Sequence, residues 1–109
     1  MKLNNFFFLS AIIYSICVDK FPLDREVITL TDSTYEKAIK QYKYLIIYFY
    51  APWCGHCRTF DSEYEKAADT LKEDNIHLAK IDGSTEKRAL QKFKVNGFPS
   101  ILFFFHSPE

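Results

Sequence analysis

The sequence has few of the residues that interrupt or cross-link a chain, with three glycines, four prolines and three cysteines among 109 residues. Three cysteines are too few for the framework of several disulfides on which small secreted scaffolds depend. The scarcity of glycine and proline argues against a low-complexity linker protein. Basic and acidic residues number 14 each, so the composition offers neither a basic surface for nucleic acid nor an acidic tail.

Apolar and aromatic side chains are abundant. Hydrophobic residues make up 48% of the chain and aromatic residues 17%, with 11 phenylalanines and 7 tyrosines. This is enough apolar material to build a core, and the length allows one small domain. We therefore predict a single folded domain without internal repeats.

The first 17 residues have the composition of a secretory signal peptide. Lys2 precedes a short apolar run at 6–17, and small residues near Cys17 suit cleavage after that position. The alternative is a membrane anchor, but the run is shorter than the ~20 residues that a spanning helix needs. We predict a signal peptide at 1–17, an N-terminal linker at 18–26 and no membrane span after cleavage. Only two cysteines would then remain.

Hydrophobic periodicity predicts strands that alternate with helices. Strand composition occurs at 27–30, 44–50, 76–82 and 100–105. The run at 44–50 is almost entirely apolar, which is typical of a central strand that is covered on both faces. Apolar residues at three- and four-residue steps predict three helices between these strands. This order favours βαβ units and an α/β sandwich around a mostly parallel sheet.

Two of the predicted helices allow more detailed expectations. Ser33 and Glu36 fit a capping box at the start of the first helix, and residues 83–85 supply the turn and cap of the third. In the second helix, one set of residues forms an inward stripe: Cys57, Phe60, Tyr64, Ala67 and Leu71. The opposite set is expected to face water: Arg58, Asp61, Glu65 and Lys72.

Two thiols, Cys54 and Cys57, lie three positions apart where the strand at 44–50 leads into the second helix. A helix N-terminus carries unpaired N–H groups and partial positive charge, so it stabilises a thiolate at Cys54. His56 between the thiols adds a donor or a positive charge. The period places Cys57 in the buried stripe and Cys54 at an exposed helix start. The pattern predicts redox chemistry; the alternatives are an inert disulfide and half of a zinc site, for which the sequence offers no second C-x-x-C or paired histidines.

Four segments resemble a catalytic thioredoxin-fold domain of the protein disulfide isomerase family. They are Tyr-Phe-Tyr-Ala-Pro-Trp-Cys-Gly-His-Cys at 48–57, Tyr-Glu-Lys-Ala-Ala at 64–68, Ala-Lys-Ile-Asp at 79–82 and Gly-Phe-Pro-Ser at 97–100. The resemblance covers residues 27 to 105. It implies a thioredoxin-like three-layer sandwich and a thiol–disulfide oxidoreductase or isomerase without a cofactor. The implied partners are unfolded or disulfide-containing client proteins in the endoplasmic reticulum lumen or the secretory pathway.

The resemblance also implies roles for particular residues. Cys54 would attack the client, and Cys57 would resolve the mixed disulfide and close the Cys54–Cys57 disulfide. Three residues would tune the pKa of the thiols: Gly55, His56 and Lys80. Three others would form the client-binding groove: Trp53, Phe98 and Pro99, of which Pro99 matches the family's cis-proline.

The sequence departs from the family pattern in three ways, of which the smallest is Ser62 in place of a proline expected in the second helix. Tyr48 stands where the family has a buried glutamate that accepts the proton of the recessed thiol, and a phenol with a pKa near ~10 cannot do so at neutral pH. Lys80 matches the lysine that faces this glutamate, so it is expected to contact the Tyr48 hydroxyl or to reach solvent. The sequence also ends before the family's last strand and helix. We therefore expect an incomplete domain at 27–109, with exposed side chains among Phe103, Phe104 and Phe105; a redox-weak client-binding module and a non-functional product remain as alternatives.

Overall fold

The computed structural model describes residues 19–106, so the expected signal peptide at 1–17 lies outside the described residues. Five strands and three helices follow one another along the chain: β1 (Leu23–Asp24), β2 (Val27–Leu30), α1 (Tyr35–Gln41), β3 (Tyr44–Tyr50), α2 (Gly55–Leu71), β4 (Ile76–Asp82), α3 (Lys87–Lys92) and β5 (Ser100–Phe105). A short 3₁₀ turn, Lys72–Asp74, follows α2. Among residues 19–106, none of the helices combines the length and apolar character needed to cross a bilayer.

The strands form one sheet in the order β1-β2-β4-β3-β5. The inner strands β2, β4 and β3 are parallel, whereas β1 and β5 pair antiparallel at the two edges. The expected α/β architecture is confirmed, and the mixed sheet consists of three parallel inner strands with one antiparallel strand at each edge. β1 lies within the segment predicted as an N-terminal linker, residues 18–26. Arg25 and Glu26 have positive φ values of 51° and 71°, which lets the chain reverse tightly between β1 and β2.

Both faces of the sheet are covered, giving three layers. On one face α1 and α3 cover a cluster that includes Leu45, Ile47 and Phe49 of β3. On the other face α2 covers Tyr48, together with residues of β2 and β4. Because successive side chains of a strand point to opposite faces, a strand buried on both must be apolar throughout. The prediction of a covered inner strand at 44–50 is confirmed.

The predicted capping residues are wrong, and Asp32 instead caps the third helix, α3. The first helix has Thr34 as its N-cap, so Ser33 precedes the cap position and makes no capping box with Glu36. Asp32 instead accepts the amide N–H groups of Arg88 and Ala89 in α3, at 3.2 and 2.8 Å. In return, Glu86 Oε1 accepts the Asp32 N–H at 2.8 Å. This reciprocal contact satisfies first-turn amides of α3 and joins its start to the end of β2.

One face of β5 exposes large apolar side chains. Ile101, Phe103 and Phe105 are 48%, 59% and 56% exposed. Tyr44 of the neighbouring strand stacks on the two phenylalanines, with ring centroids 6.4 and 5.3 Å apart. The alternate residue Phe104 turns inward against Phe93. The expected exposure is therefore confirmed for Phe103 and Phe105 only.

Candidate active site

A tight turn places Cys54 at the start of α2. The Cys54 N–H donates to the Ala51 carbonyl at 3.1 Å, and Pro52 occupies the second position of this turn, where its fixed φ fits. Cys54 is the N-cap of α2 with extended backbone angles, and its Sγ accepts the Cys57 N–H at 3.2 Å. A disulfide joins Cys54 to Cys57, whose Cα atoms lie 5.2 Å apart.

The two cysteines differ little in exposure. Cys57 is 2% exposed, which confirms its place in the buried stripe of α2. Cys54 is only 6% exposed, so the expectation of an exposed thiol at the helix start is wrong for the disulfide form. Cys54 lies in the same apolar cluster as Ala51, and Phe98 packs against that cluster.

The start of α2 favours a negative charge on Cys54. Helix α2 is 17 residues long, and its first turn carries no acidic residue. Its amide N–H groups and partial positive charge therefore act on the sulfur of residue 54 without an opposing carboxylate beside it. His56, the second residue of α2, is exposed.

The predicted groove residues meet beside the disulfide. Trp53 is 71% exposed, and its ring stands edge-on to the Phe98 ring with centroids 5.7 Å apart. The Phe98–Pro99 peptide bond is cis, as the resemblance implies. The Ser100 hydroxyl donates to the Gly97 carbonyl at 2.6 Å, which fixes the turn that presents Pro99.

The predicted partner of Lys80 is wrong. Lys80 Nζ donates to Asp24 Oδ2 of β1 at 2.6 Å and lies 5.7 Å from the centroid of the Tyr50 ring. This hydrogen bond and the charge of Lys80 lower the pKa of Asp24. Tyr48 lies next to Lys80 in register, but its hydroxyl turns toward α2. The β1–β2 hairpin supplies the carboxylate that Lys80 binds instead.

Tyr48 links the buried layer to Asp61. The Tyr48 side chain is fully buried, and its hydroxyl contacts the Cys57 carbonyl oxygen at 3.2 Å and donates to Asp61 Oδ1 at 2.9 Å. Burial, followed by the hydrogen bond to Asp61 and its charge, raises the pKa of Tyr48. Asp61 is exposed, as predicted for the water-facing side of α2, but its contact with Tyr48 was not predicted from the sequence. The signal that would have found it is its position four residues after Cys57, which places both side chains on neighbouring turns of one face.

The sequence from 26 to 108 matches the Thioredoxin family. The chain belongs to the thioredoxin family. It is 37% identical over 106 residues to Protein disulfide-isomerase 1 of Caenorhabditis elegans, covering 95% of this chain and 21% of that protein. It is 44% identical over 87 residues to Protein disulfide-isomerase of Gallus gallus, covering 76% of this chain and 17% of that protein. This thioredoxin-family chain thus spans about a fifth of the length of either relative.

A solved structure agrees with this assignment. The first thioredoxin domain of mouse Protein disulfide-isomerase A4 superposes with a TM-score of 0.71 at 33% identity, covering 82% of this chain and 69% of that one. The thioredoxin fold of residues 19–106 is therefore supported by both sequence and shape. Within those residues, no three histidine, cysteine or acidic side chains come together to form a metal site.

Gly83 leaves the space that the Phe98 ring occupies in this thioredoxin domain. Its N–H donates to the Tyr50 carbonyl at 2.8 Å, which ties the end of β4 to the end of β3. A Cβ at this position would overlap the Phe98 ring and lie 3.2 Å from a Leu90 methyl group. We therefore expect Gly83→Ala to displace Phe98 and to lower the free energy of unfolding by about 1–3 kcal/mol, as overpacking does. Urea denaturation followed by circular dichroism measures this change.

Gly97→Ala is the matched control for Gly83→Ala. A Cβ on Gly97 meets no atom within 4 Å, and its φ is not positive. The stability of this variant should stay within about 0.5 kcal/mol of the parent. Equal stability of the two variants would show that the position of the Phe98 ring does not require a glycine at residue 83.

Proposed function

We propose that this chain is a thiol–disulfide oxidoreductase that forms or rearranges disulfides in client proteins. The observation that carries the proposal is Cys54 at the N-cap of a 17-residue helix, where its sulfur accepts an amide N–H while bonded to Cys57. A client thiolate attacks Cys54, a mixed disulfide forms, and either a second client thiol or Cys57 then completes the exchange. Protein disulfide isomerases among the relatives support this assignment.

The same features favour disulfide donation over reduction. Stabilising the Cys54 thiolate stabilises the reduced form of the pair, and a pair with a stable reduced form is an oxidant. Protein disulfide isomerase has a reduction potential of about −180 mV, against about −270 mV for thioredoxin. For two electrons this difference is about 4 kcal/mol in favour of oxidising a client.

The remaining predicted residues have subordinate roles in the proposal. Trp53, Phe98 and Pro99 provide an apolar edge on which an extended client can lie next to Cys54. Gly55 and His56 act on the thiols from the first turn of α2. Lys80 acts at most indirectly, since its charge is held by Asp24.

The proposed working place is the endoplasmic reticulum lumen or another part of the secretory pathway. The proposal rests on the signal-like composition of residues 1–17, which would direct a thioredoxin-like domain at 27–109 into an oxidising compartment. Unfolded or disulfide-containing proteins are the clients that this compartment supplies.

Equilibration with glutathione buffers tests the redox function. The full chain carrying Cys17→Ser is brought to equilibrium over a range of glutathione ratios, trapped with a thiol-alkylating reagent and separated by mass. We expect a potential near −180 mV and catalysed oxidation of a peptide dithiol. A potential at or below about −270 mV, or an uncatalysed rate of oxidation, would contradict the proposal.

A client-binding module is the second candidate function. The exposed side chains of Ile101, Phe103 and Phe105 favour it, because they lie together on one face of β5 and a contiguous apolar patch is typical of a surface that binds other chains. The double variant Cys54→Ser Cys57→Ser separates the two functions. The binding function replaces the redox function if two results are found together. The unchanged chain and the double variant suppress aggregation of an unfolded client equally well, and the unchanged chain catalyses no disulfide exchange.

A further inference from the structure

Closing the disulfide requires the buried Cys57 thiol to lose a proton. Cys57 is 2% exposed, and the buried side chains of residues 19–106 include no charged or strongly polar residue that could accept a proton within the core. A thiol in apolar surroundings also ionises less readily than one in water. The proton therefore needs a route from this layer to a base that is ionised at neutral pH.

The Tyr48 hydroxyl is a polar atom that joins this layer to such a base. Tyr48 and Cys57 belong to one buried cluster, and the hydroxyl lies 3.2 Å from the carbonyl oxygen of Cys57. On its other side the hydroxyl donates to Asp61 Oδ1 at 2.9 Å. Asp61 is an exposed residue on α2, so its carboxylate exchanges protons with water.

Other ionisable groups on the elements around this layer are His56, Arg58 and Tyr64 of α2, Tyr50 of β3, Lys80 and Asp82 of β4, and Asp24 of β1. Burial is the main cause that raises the pKa of Tyr50 and of Tyr64, so neither phenol is a base at neutral pH. The ammonium of Lys80 is bound to Asp24 at 2.6 Å. His56 and Arg58 are exposed. In contrast to these groups, Asp61 is a carboxylate that is hydrogen-bonded to a side chain of the Cys57 layer, Tyr48.

We propose that Asp61 takes up the proton of the Cys57 thiol through the Tyr48 hydroxyl. The inference rests on the proposed redox function and assigns positioning residues to its second step. The Cys57 sulfur forms a bond with the Cys54 sulfur, and the bond between Cys54 and the client sulfur breaks. The client leaves as a thiolate with that electron pair. Tyr48 accepts the thiol proton while it passes its own to Asp61, which returns it to water.

Neither residue performs this task alone. Tyr48 is buried and stays protonated, so it relays a proton but does not keep one. Asp61 is a base, and its contact with the layer is the 2.9 Å hydrogen bond from the Tyr48 hydroxyl. The spacing of Cys57 and Asp61 by four residues on α2 keeps the three groups on one side of the helix.

Rapid quenching measures the rate at which the Cys54–Cys57 disulfide closes, which is the step that the inference concerns. The reduced full chain carrying Cys17→Ser is mixed with glutathione disulfide, quenched in acid at successive times and analysed by mass, which counts mixed and closed disulfides separately. We expect Asp61→Asn and Tyr48→Phe each to slow closure by about 10²-fold at pH 7, the lower range for lost proton transfer. Closure should recover toward the parent rate above pH 9. The double variant should be no slower than either single variant.

Tyr64→Phe is the matched control. Tyr64 is another buried phenol that bonds within the α2 layer, donating to the carbonyls of Ile46 and Ala79 at 3.0 and 2.7 Å. Its loss should lower stability without changing the pH profile of closure. An equal slowing in Tyr64→Phe, or closure in Asp61→Asn that is as fast as or faster than in the parent, would overturn the inference.

Titration of Cys57 separates the inference from the proposed function, because it needs no catalysis. In the full chain carrying Cys17→Ser and Cys54→Ser, Cys57 is the remaining thiol, and the chemical shift of its labelled Cβ reports ionisation. Removing a nearby anion favours a thiolate, so Asp61→Asn should lower the Cys57 pKa while it slows closure. An unchanged titration overturns the inference. A shifted titration in a chain without exchange activity overturns the proposed function and leaves the coupling of Asp61 to Cys57 standing.

Discussion

Cys57→Ser is expected to leave the chain covalently joined to its clients. Cys54 keeps its place at the N-cap of α2, so its thiolate still attacks the disulfide of a client. The buried sulfur that closes the exchange is gone, and an external thiol at millimolar concentration cannot match an intramolecular one. We expect release to slow by about 10³-fold or more. Non-reducing electrophoresis with a disulfide-containing client measures the adduct and its decay.

Cys54→Ser provides the control for the trapped adduct. The remaining Cys57 is 2% exposed, so it should form little adduct, and the exchange rate should fall to the uncatalysed value. Comparable amounts of adduct from the two variants would show that Cys57 also attacks clients directly. The division of roles between the cysteines would then be wrong.

Phe49→Ala should produce the largest loss of stability. Phe49 is fully buried in β3, and its ring lies 6.3 Å from that of Phe93 behind α3. Removing a buried phenylalanine ring costs about 3–5 kcal/mol through lost burial and the cavity that remains. A domain of this size has a total stability of about 5–15 kcal/mol, so a large share is lost. Urea denaturation followed by circular dichroism gives the difference.

Phe105→Ala is the matched control for the core substitution. The same ring is removed from a position that is 56% exposed, so the expected loss is about 1 kcal/mol or less. A loss of several kcal/mol at Phe105 would mean that the exposed face of β5 is covered in solution. A loss near zero at Phe49 would contradict the placement of β3 inside the sheet.

The parts of the fold that follow from periodicity could be predicted from the sequence. The bounds of β3, β4 and β5 agree with the strand runs predicted from the sequence. For β3 the reason is that a strand covered on both faces has no polar interruption. The helical stripe likewise placed Cys57 in the core. Both features depend on residues that lie close together along the chain.

Contacts between distant residues could not be predicted in this way. Asp32 caps a helix that begins 55 positions later, and Asp24 binds Lys80 across the sheet. The β1–β2 hairpin depends on positive φ values at Arg25 and Glu26, residue types that carry no signal for that conformation. The hydrogen bond between Tyr48 and the exposed Asp61 likewise joins two different elements, β3 and α2. Each of these features depends on tertiary packing.

Trp53 is the chain's single tryptophan, and it stands next to Cys54 with its ring against Phe98. A sulfur–sulfur bond quenches the emission of an indole that lies close to it, and a thiol or thiolate does so to a different extent. No second indole contributes background light. We therefore expect the fluorescence of Trp53 to differ between the disulfide and the dithiol forms of the cysteine pair.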